Sequence, residues 1–437
     1  MTIQPRAELE KLSDYVPGKS IEEICERYGL SHAVKLASNE NPWGTSPKAK
    51  AAFLQIANTL HLYPRGDAPL LLNALASKYN VSKDCLILGN GSDEIIDLIG
   101  KAFIAPGDIC VSATPTFSVY EFTTIEAGGI FKPFPVGVEK ANIAELAEFS
   151  KEARVLFLCN PNNPTGVYYS ESEILELLRL LPKNVLLFLD EAYAEFAVAT
   201  DYPNLISRVQ EFPNLFINRT FSKIYGLAGL RLGYGVSSPG VIRNLWKVKP
   251  PFDINLAAQA AGIAALEDLD FVQMTREKNS EGMLTLKKAF EECKLEVIES
   301  QGNFLCIKIG KQAKELVAFL ECRGRIVRGL SNFGLPEWIR VTVGKPEENE
   351  FFIKLLKENK LDDAGWMLFE NNPLTTVCSL ICNHEKQCEG HCVLGKKGAP
   401  VHFSTIEQYI SRAYAPKMNK GPQDWNGKRV AIVGSGP

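Results

Sequence analysis

Lys223 lies in the stretch RTFSKIYGLAGLRLGY (219–234), with hydroxyls at Thr220 and Ser222 and an arginine, Arg231, eight positions on. A primary amine can condense with an aldehyde, and hydroxyls beside a guanidinium suit a phosphate dianion. Gly226, Ala228 and Gly229 carry little side-chain bulk, so a sizeable group can come close to this backbone. An isolated lysine is most often a solvated surface charge, and only its company can change that reading. LDEAY (189–193) puts Asp190 at the end of an apolar run, where it is either the exposed start of a helix or a buried carboxylate in need of a partner. GNGSDE (89–94) looks like a turn opening a helix, whose backbone N–H groups can hold an anion. CNPNNPTG (159–166) forms a stiff loop that presents amide side chains, although an ordinary turn has the same composition.

The elements that must position these groups follow from the apolar pattern. CLILGN (85–90), DICVSA (108–113), ARVLFLC (153–159), NVLLFLD (184–190), NLFINRT (214–220) and GYGVS (233–237) are expected to be strands. Their nearly continuous apolar character suits a mostly parallel sheet covered on both faces. SDEIIDLIGKAFI and SESEILELLRLLP carry helical spacing, and Ser170 with Glu173 makes a capping box. The polar motifs then fall at the carboxyl ends of the strands, where α/β folds bind ligands. From about residue 270 the pattern turns to long helices with the strands NFLCIKI, RIVRGL and WIRVTVG, and PEENEFFIKLLKENK closes what reads as a smaller α+β domain.

Together these strand ends offer an anion cradle, a carboxylate, an asparagine, a tyrosine and an amine. Those are the parts that hold a phosphorylated pyridine aldehyde. The order GNGSDE, PTF, NPNNPTG, DEAY, TFSKIYGLAGLRLGY closely resembles the fold-type I pyridoxal phosphate enzymes. Within them YVPGKSIEE (15–23), KLASNENPWG (35–44), HLYPRGDA (61–68) and WIRVTVGKPEEN (338–349) resemble the histidinol-phosphate aminotransferase family, over roughly residues 12–359.

The resemblance implies roles for named positions. Lys223 would form the Schiff base and later carry the substrate proton, Asp190 would keep the pyridine nitrogen protonated, and Asn163 and Tyr193 would bond the ring oxygen. Phe117 would stack on the ring where relatives often carry tyrosine, which removes a hydroxyl and keeps the stacking surface. The backbone of Ser92 and Asp93, the hydroxyls of Thr220 and Ser222, and Arg231 would take the coenzyme phosphate, with Tyr63 reaching it from the other subunit of a homodimer. Arg340 would receive the acidic group of the substrates, helped by Arg328 and Tyr15, and Asn41 would line the site or shape its loop. The implied substrates are histidinol phosphate and the glutamate/2-oxoglutarate pair. The core motifs are equally compatible with a threonine-phosphate decarboxylase or a broad-specificity aromatic aminotransferase; YVPGKS and SNENPWG favour histidinol phosphate.

The expected division is an N-terminal arm with part of the small domain (1–40), a large coenzyme-binding domain (41–269), a small domain (270–359) and an extension (360–437). Of eleven cysteines, seven (Cys25, Cys85, Cys110, Cys159, Cys293, Cys306, Cys322) are scattered and read as reduced structural thiols. Cys378, Cys382, Cys388 and Cys392 cluster with spacing C-x3-C-x5-C-x3-C, which suits zinc or an iron–sulfur cluster. This extension resembles the iron–sulfur region of the NADPH-dependent glutamate synthase small subunit, and GKRVAIVGSGP (427–437) resembles its first dinucleotide-binding turn. An earlier cysteine group of that family is missing from 323–377, and the third fingerprint glycine is absent, so the extension is expected to be a truncated module with at most one partial cluster. An electron-transfer protein working through this tail is the reading from a different class.

The 437 residues carry a net charge of −3, which leaves no basic footprint for nucleic acid. The polar start MTIQPRAELEKLSDY and the absence of a long apolar run point to a cytoplasmic protein without membrane association.

Overall fold

The computed structural model describes residues 3–12, 18–371 and 403–414. It forms two compact units, Met1–Glu350 and Phe351–Pro437. Among the described residues, twelve strands lie in the first: β1 Val34–Leu36, β2 Leu86–Gly89, β3 Ile109–Thr114, β4 Ile130–Pro135, β5 Val155–Cys159, β6 Leu186–Asp190, β7 Leu215–Thr220, β8 Gly233–Ser237, β9 Glu296–Ile298, β10 Phe304–Lys308, β11 Arg325–Gly329 and β12 Trp338–Thr342. The described part of the second unit is helical, with most of Pro346–Asn371 and the helix Phe403–Tyr414.

A seven-stranded sheet runs β2-β8-β7-β6-β5-β3-β4. Strands β3 to β7 pair in parallel, while β8 is antiparallel to both β2 and β7. The central strands are apolar throughout because both faces are covered. Leu156, Leu158, Leu187 and Leu189 enter one core, whereas Val155, Phe157, Leu186 and Phe188 enter the other. Phe188 stacks on Phe216 with ring centres 5.2 Å apart, and Tyr120 stacks on Phe157 at 4.9 Å. The register Cys159↔Asp190↔Asn218 aligns the carboxyl ends of β5, β6 and β7 at one edge. That edge is where the polar motifs meet.

Helix Ser92–Phe103 starts at this edge, after Gly91 in the left-handed region (φ 86°). A Cβ on Gly91 would come within 2.5 Å of Arg231 Nη2, and one on Gly233 within 2.6 Å of the Ser92 nitrogen. Glycine at both positions lets the guanidinium and the helix N-terminus crowd together. Helix Glu171–Leu180 begins with the expected Ser170–Glu173 capping box.

A second sheet runs β1-β11-β12-β10-β9. Its first strand comes from far upstream and pairs in parallel with β11; the remaining pairs are antiparallel. The sequence pattern overlooks β1, β4 and β9. Strands β1 and β9 have three residues each, too short for a periodic signal, and β4 (IFKPFP) holds two prolines, which only an edge strand accepts. Nor does an apolar run carry direction, so the reversal of β8 is a tertiary fact.

Candidate active site

Lys223, Asp190, Tyr193, Asn163, Ser92, Asp93, Phe117, Thr220, Ser222, Arg231, Arg328 and Arg340 all line one cavity at the carboxyl edge of the large sheet. Lys223 follows β7, and its Nζ donates to the Ser38 carbonyl at 3.0 Å. The residue is open on its cavity side, yet the protein around it disfavours the ammonium form. Burial, then the nearby Arg340 charge, lowers its pKa from 10.5 to about 8. A lysine in that condition holds a useful fraction of neutral, nucleophilic amine near neutral pH.

Asp190 ends β6 and is only 3% exposed. Its Oδ2 accepts from the Tyr120 hydroxyl at 2.7 Å and its Oδ1 from Asn218 Nδ2 at 3.3 Å. Both partners are neutral, so burial dominates and pushes the carboxyl up to about 6. An aspartate in this setting gains from any cation brought to the cavity.

At the start of helix Ser92–Phe103, Arg231 has the left-handed φ of 52° and its Nη2 donates to Asp93 Oδ2 at 3.1 Å. Thr220 Oγ1 accepts from the Ser222 backbone N–H at 3.1 Å, which closes the turn in front of Lys223. On the facing wall, Arg328 and Arg340 are direct cross-strand partners on β11 and β12. Like charges opposite one another are unfavourable in a sheet unless an anion sits between or above them. Arg340 is 6% exposed, donates to the Asn163 side-chain oxygen and the Ala37 carbonyl, and lies 5.3 Å from the Phe304 ring centre. Arg328 lies 6.0 Å from the ring centre of Phe333, another cavity residue.

Two expected residues lie outside this wall. Asn41 donates to the Ile224 carbonyl at 2.8 Å and accepts from the Trp43 N–H at 3.0 Å, so both ends of its amide shape the loop beside Lys223. Tyr63 is 83% exposed, with its ring 5.0 Å from that of Phe252. Tyr15 and the cysteines at 378, 382, 388 and 392 fall outside the described residues.

Comparison with known proteins matches residues 31–356 to the class I and II aminotransferases. A histidinol-phosphate aminotransferase of Geobacillus sp. is 42% identical over 82% of this chain and 99% of its own length. One from Moorella thermoacetica is also 42% identical, over 81% of this chain and 92% of its own. The chain belongs to the histidinol-phosphate aminotransferases. The crystal structure of the Sinorhizobium meliloti histidinol-phosphate aminotransferase, a complex with pyridoxal 5′-phosphate, superposes with a TM-score of 0.75 at 26% identity, covering 81% of this chain and 96% of that one.

Pyridoxal phosphate is the coenzyme expected of this aminotransferase family, and the donor set here fits it. A poised amine, a carboxylate with neutral partners only, and a glycine-cleared helix N-terminus beside Arg231 match the aldehyde, the pyridinium and the phosphate. Tyr120, Asn218, Ser38, Asn39 and Phe333 escaped sequence reasoning. Ser38 and Asn39 lie inside the quoted KLASNENPWG and Asn218 inside NLFINRT, while Tyr120 follows the PTF motif by three positions, and none of them was assigned a role from the sequence. Overlapping the end of the aminotransferase match, residues 346–419 match the dihydropyrimidine dehydrogenase domain II family, which carries a 4Fe-4S cluster. Among the described residues, no group of three His, Cys, Asp or Glu side chains is gathered to hold a metal.

Proposed function

We propose that this chain transfers the amino group of L-histidinol phosphate to 2-oxoglutarate, giving imidazole acetol phosphate and L-glutamate, a step of histidine biosynthesis. One observation carries the reading: Lys223 and Asp190 share a cavity with the facing Arg328–Arg340 pair. Bound there, pyridoxal phosphate supplies an electron sink for the carbanion left when the substrate loses its α-proton.

The residues divide the remaining work. Lys223 Nζ would hold the coenzyme through its aldehyde carbon and, once displaced by the substrate amine, would act as the base that moves the proton between the substrate Cα and that carbon. Asp190, held by Tyr120 and Asn218, keeps a proton on the pyridine nitrogen. Asn163 and Tyr193 would donate to the ring oxygen, and Phe117 would supply a stacking surface for the ring. Ser92, Asp93, Thr220, Ser222 and Arg231 hold the coenzyme phosphate. Arg340 and Arg328 bind the substrate phosphate in one half-reaction and a carboxylate of glutamate in the other, and the sequence resemblance adds Tyr15 as a helper. Asn41 keeps the Lys223 loop in shape.

A homodimer is part of the proposal. The exposed Tyr63, outside the cavity of its own protomer, supports a role at the phosphate of the neighbouring one. We assign the large and small domains to 41–269 and 270–359, the tail cysteines to a partial iron–sulfur site, and the enzyme to the cytoplasm. No helix among the described residues is long and apolar enough to cross a membrane.

The deciding experiment is a coupled assay on purified protein. Histidinol phosphate with 2-oxoglutarate should give glutamate, and threonine phosphate alone should give no carbon dioxide. Decarboxylation of threonine phosphate without glutamate formation would replace the proposal with the decarboxylase reading. Iron and acid-labile sulfide, measured after anaerobic reconstitution, test the tail.

A further inference from the structure

We propose that Asn39 and Thr342 are positioning residues that set the direction of the Tyr193 hydroxyl, so that its proton is donated into the cavity. The inference rests on the proposed placement of Tyr193 at the coenzyme ring oxygen.

The direction follows from a chain of hydrogen bonds that starts at a backbone group. The Asn39 backbone N–H donates to Thr342 Oγ1 at 3.0 Å. A peptide N–H can only donate, so the threonine oxygen accepts there and sends its own proton elsewhere. That proton goes to Asn39 Oδ1, 2.9 Å away. Turned over, the amide would present Nδ2 to Thr342 and take this acceptor away from the hydroxyl proton, so the oxygen faces Thr342 and the nitrogen faces Tyr193. Asn39 Nδ2 donates to Tyr193 Oη at 2.9 Å. Because an amide nitrogen has only hydrogens to give, the phenol oxygen accepts, and its proton is left for a group in the cavity that Tyr193 lines.

The relay is held firmly. Asn39 is 1% exposed and adopts a left-handed φ of 55°, a conformation that asparagine tolerates better than most residues. Its carbonyl accepts from Asn303 Nδ2 at 3.1 Å, so all its polar groups have partners. Tyr193 packs edge-on against Phe304, ring centres 5.2 Å apart. The charged and titratable groups facing it are Lys223, whose Nζ is 5.6 Å from the ring centre, and Arg340, Cys159 and Asp190. Burial pushes the phenol up to about 12, so it keeps its proton through the working range.

A donor at the ring oxygen stabilises the coenzyme form whose oxygen carries uncompensated negative charge. Removing that donor should raise the pH midpoint at which the visible absorption of bound coenzyme changes. The test is a spectrophotometric pH titration of the holoenzyme. Tyr193→Phe should raise the midpoint by about one pH unit. In Asn39→Asp the carboxylate accepts the phenol proton, and the midpoint should rise comparably. Added to Tyr193→Phe, the same substitution should move the midpoint clearly less, since no phenol remains to be turned. Thr342→Ser should keep the wild-type midpoint, whereas Thr342→Val, which lets the amide turn over, should raise it.

Equal displacement by Asn39→Asp in both backgrounds would mean that its charge acts alone, and the relay would be overturned. If Asn39→Asp does not fold, equal midpoints for Thr342→Ser and Thr342→Val overturn it instead. An unchanged midpoint in Tyr193→Phe removes the underlying placement of Tyr193, a result distinguishable from failure of the relay.

Discussion

Asp190 and Glu191 are adjacent, both buried and both at the carboxyl end of β6, yet they meet opposite surroundings. Asp190 faces the cavity with the neutral donors Tyr120 and Asn218. Glu191 points the other way and pairs with Arg219 of β7 at 2.6 Å, and Arg219 reaches on to Glu195 at 3.0 Å. Arg219 is itself the neighbour of the cavity residue Thr220. Alternation along two strands thus puts a carboxylate with a guanidinium counter-ion on one face and a carboxylate with neutral donors on the other. A buried charge that already has its counter-ion belongs to the framework. One that lacks it is set to receive a ligand's.

The comparison can be broken most severely at the amine. Lys223→Ala should abolish turnover and the borohydride-stable labelling of the protein by coenzyme; transamination at a normal rate would remove Lys223 from its role. Next comes Asp190→Asn, which should retain bound coenzyme but slow substrate Cα deprotonation by about 100-fold or more, read by single-turnover absorbance. Glu191→Gln should behave in the opposite way. It weakens the charge-assisted hydrogen bonding to Arg219, which keeps Glu195 as counter-ion, and should lower unfolding stability by about 2 kcal/mol in a denaturant titration, while turnover per bound coenzyme changes little. If Glu191→Gln damaged chemistry as much as Asp190→Asn, the division between the two faces would fail.

The smallest effect is one of pH. Asp190, raised from 3.8 to about 6, contributes stability below the lower value that is lost as pH rises through the upper one. Lys223, lowered from 10.5 to about 8, contributes stability above the higher value that is lost as pH falls through the lower one. Near pH 7 both ionised groups therefore burden the coenzyme-free protein. The rate at which it captures pyridoxal phosphate should climb through about pH 8 as the amine loses its proton, then level off. A flat profile in a stopped-flow absorbance series would show that the amine is not the group being poised.

Much of this architecture was legible in the residue order. The long apolar strands announced a covered parallel sheet, and the capping box at Ser170 marked a helix start. Lys223, Asp190, Asn163 and Arg231 stood out because each sits in a short motif whose composition is costly without a purpose. Tyr120, Asn39 and Thr342 did not. Tyr120 looks like any aromatic core residue until its hydroxyl is found on Asp190, and Asn39 gains meaning only through Thr342, more than 300 positions away along the chain. Short or proline-bearing strands such as β1 and β4 were likewise invisible, since three residues show no period and proline argues against a ladder.

The chemistry on offer was decided by the sequence alone, because an amine, a carboxylate and a phosphate-binding turn are properties of residue types and near neighbours. Their electrical state was decided by the tertiary structure. Burial of Asp190 without a cation, the seating of Lys223 near Arg340, and the facing of Arg328 by Arg340 arise where distant strands meet. A charge is stabilised or penalised by whatever folding places around it, and that environment is assembled from segments far apart in the chain.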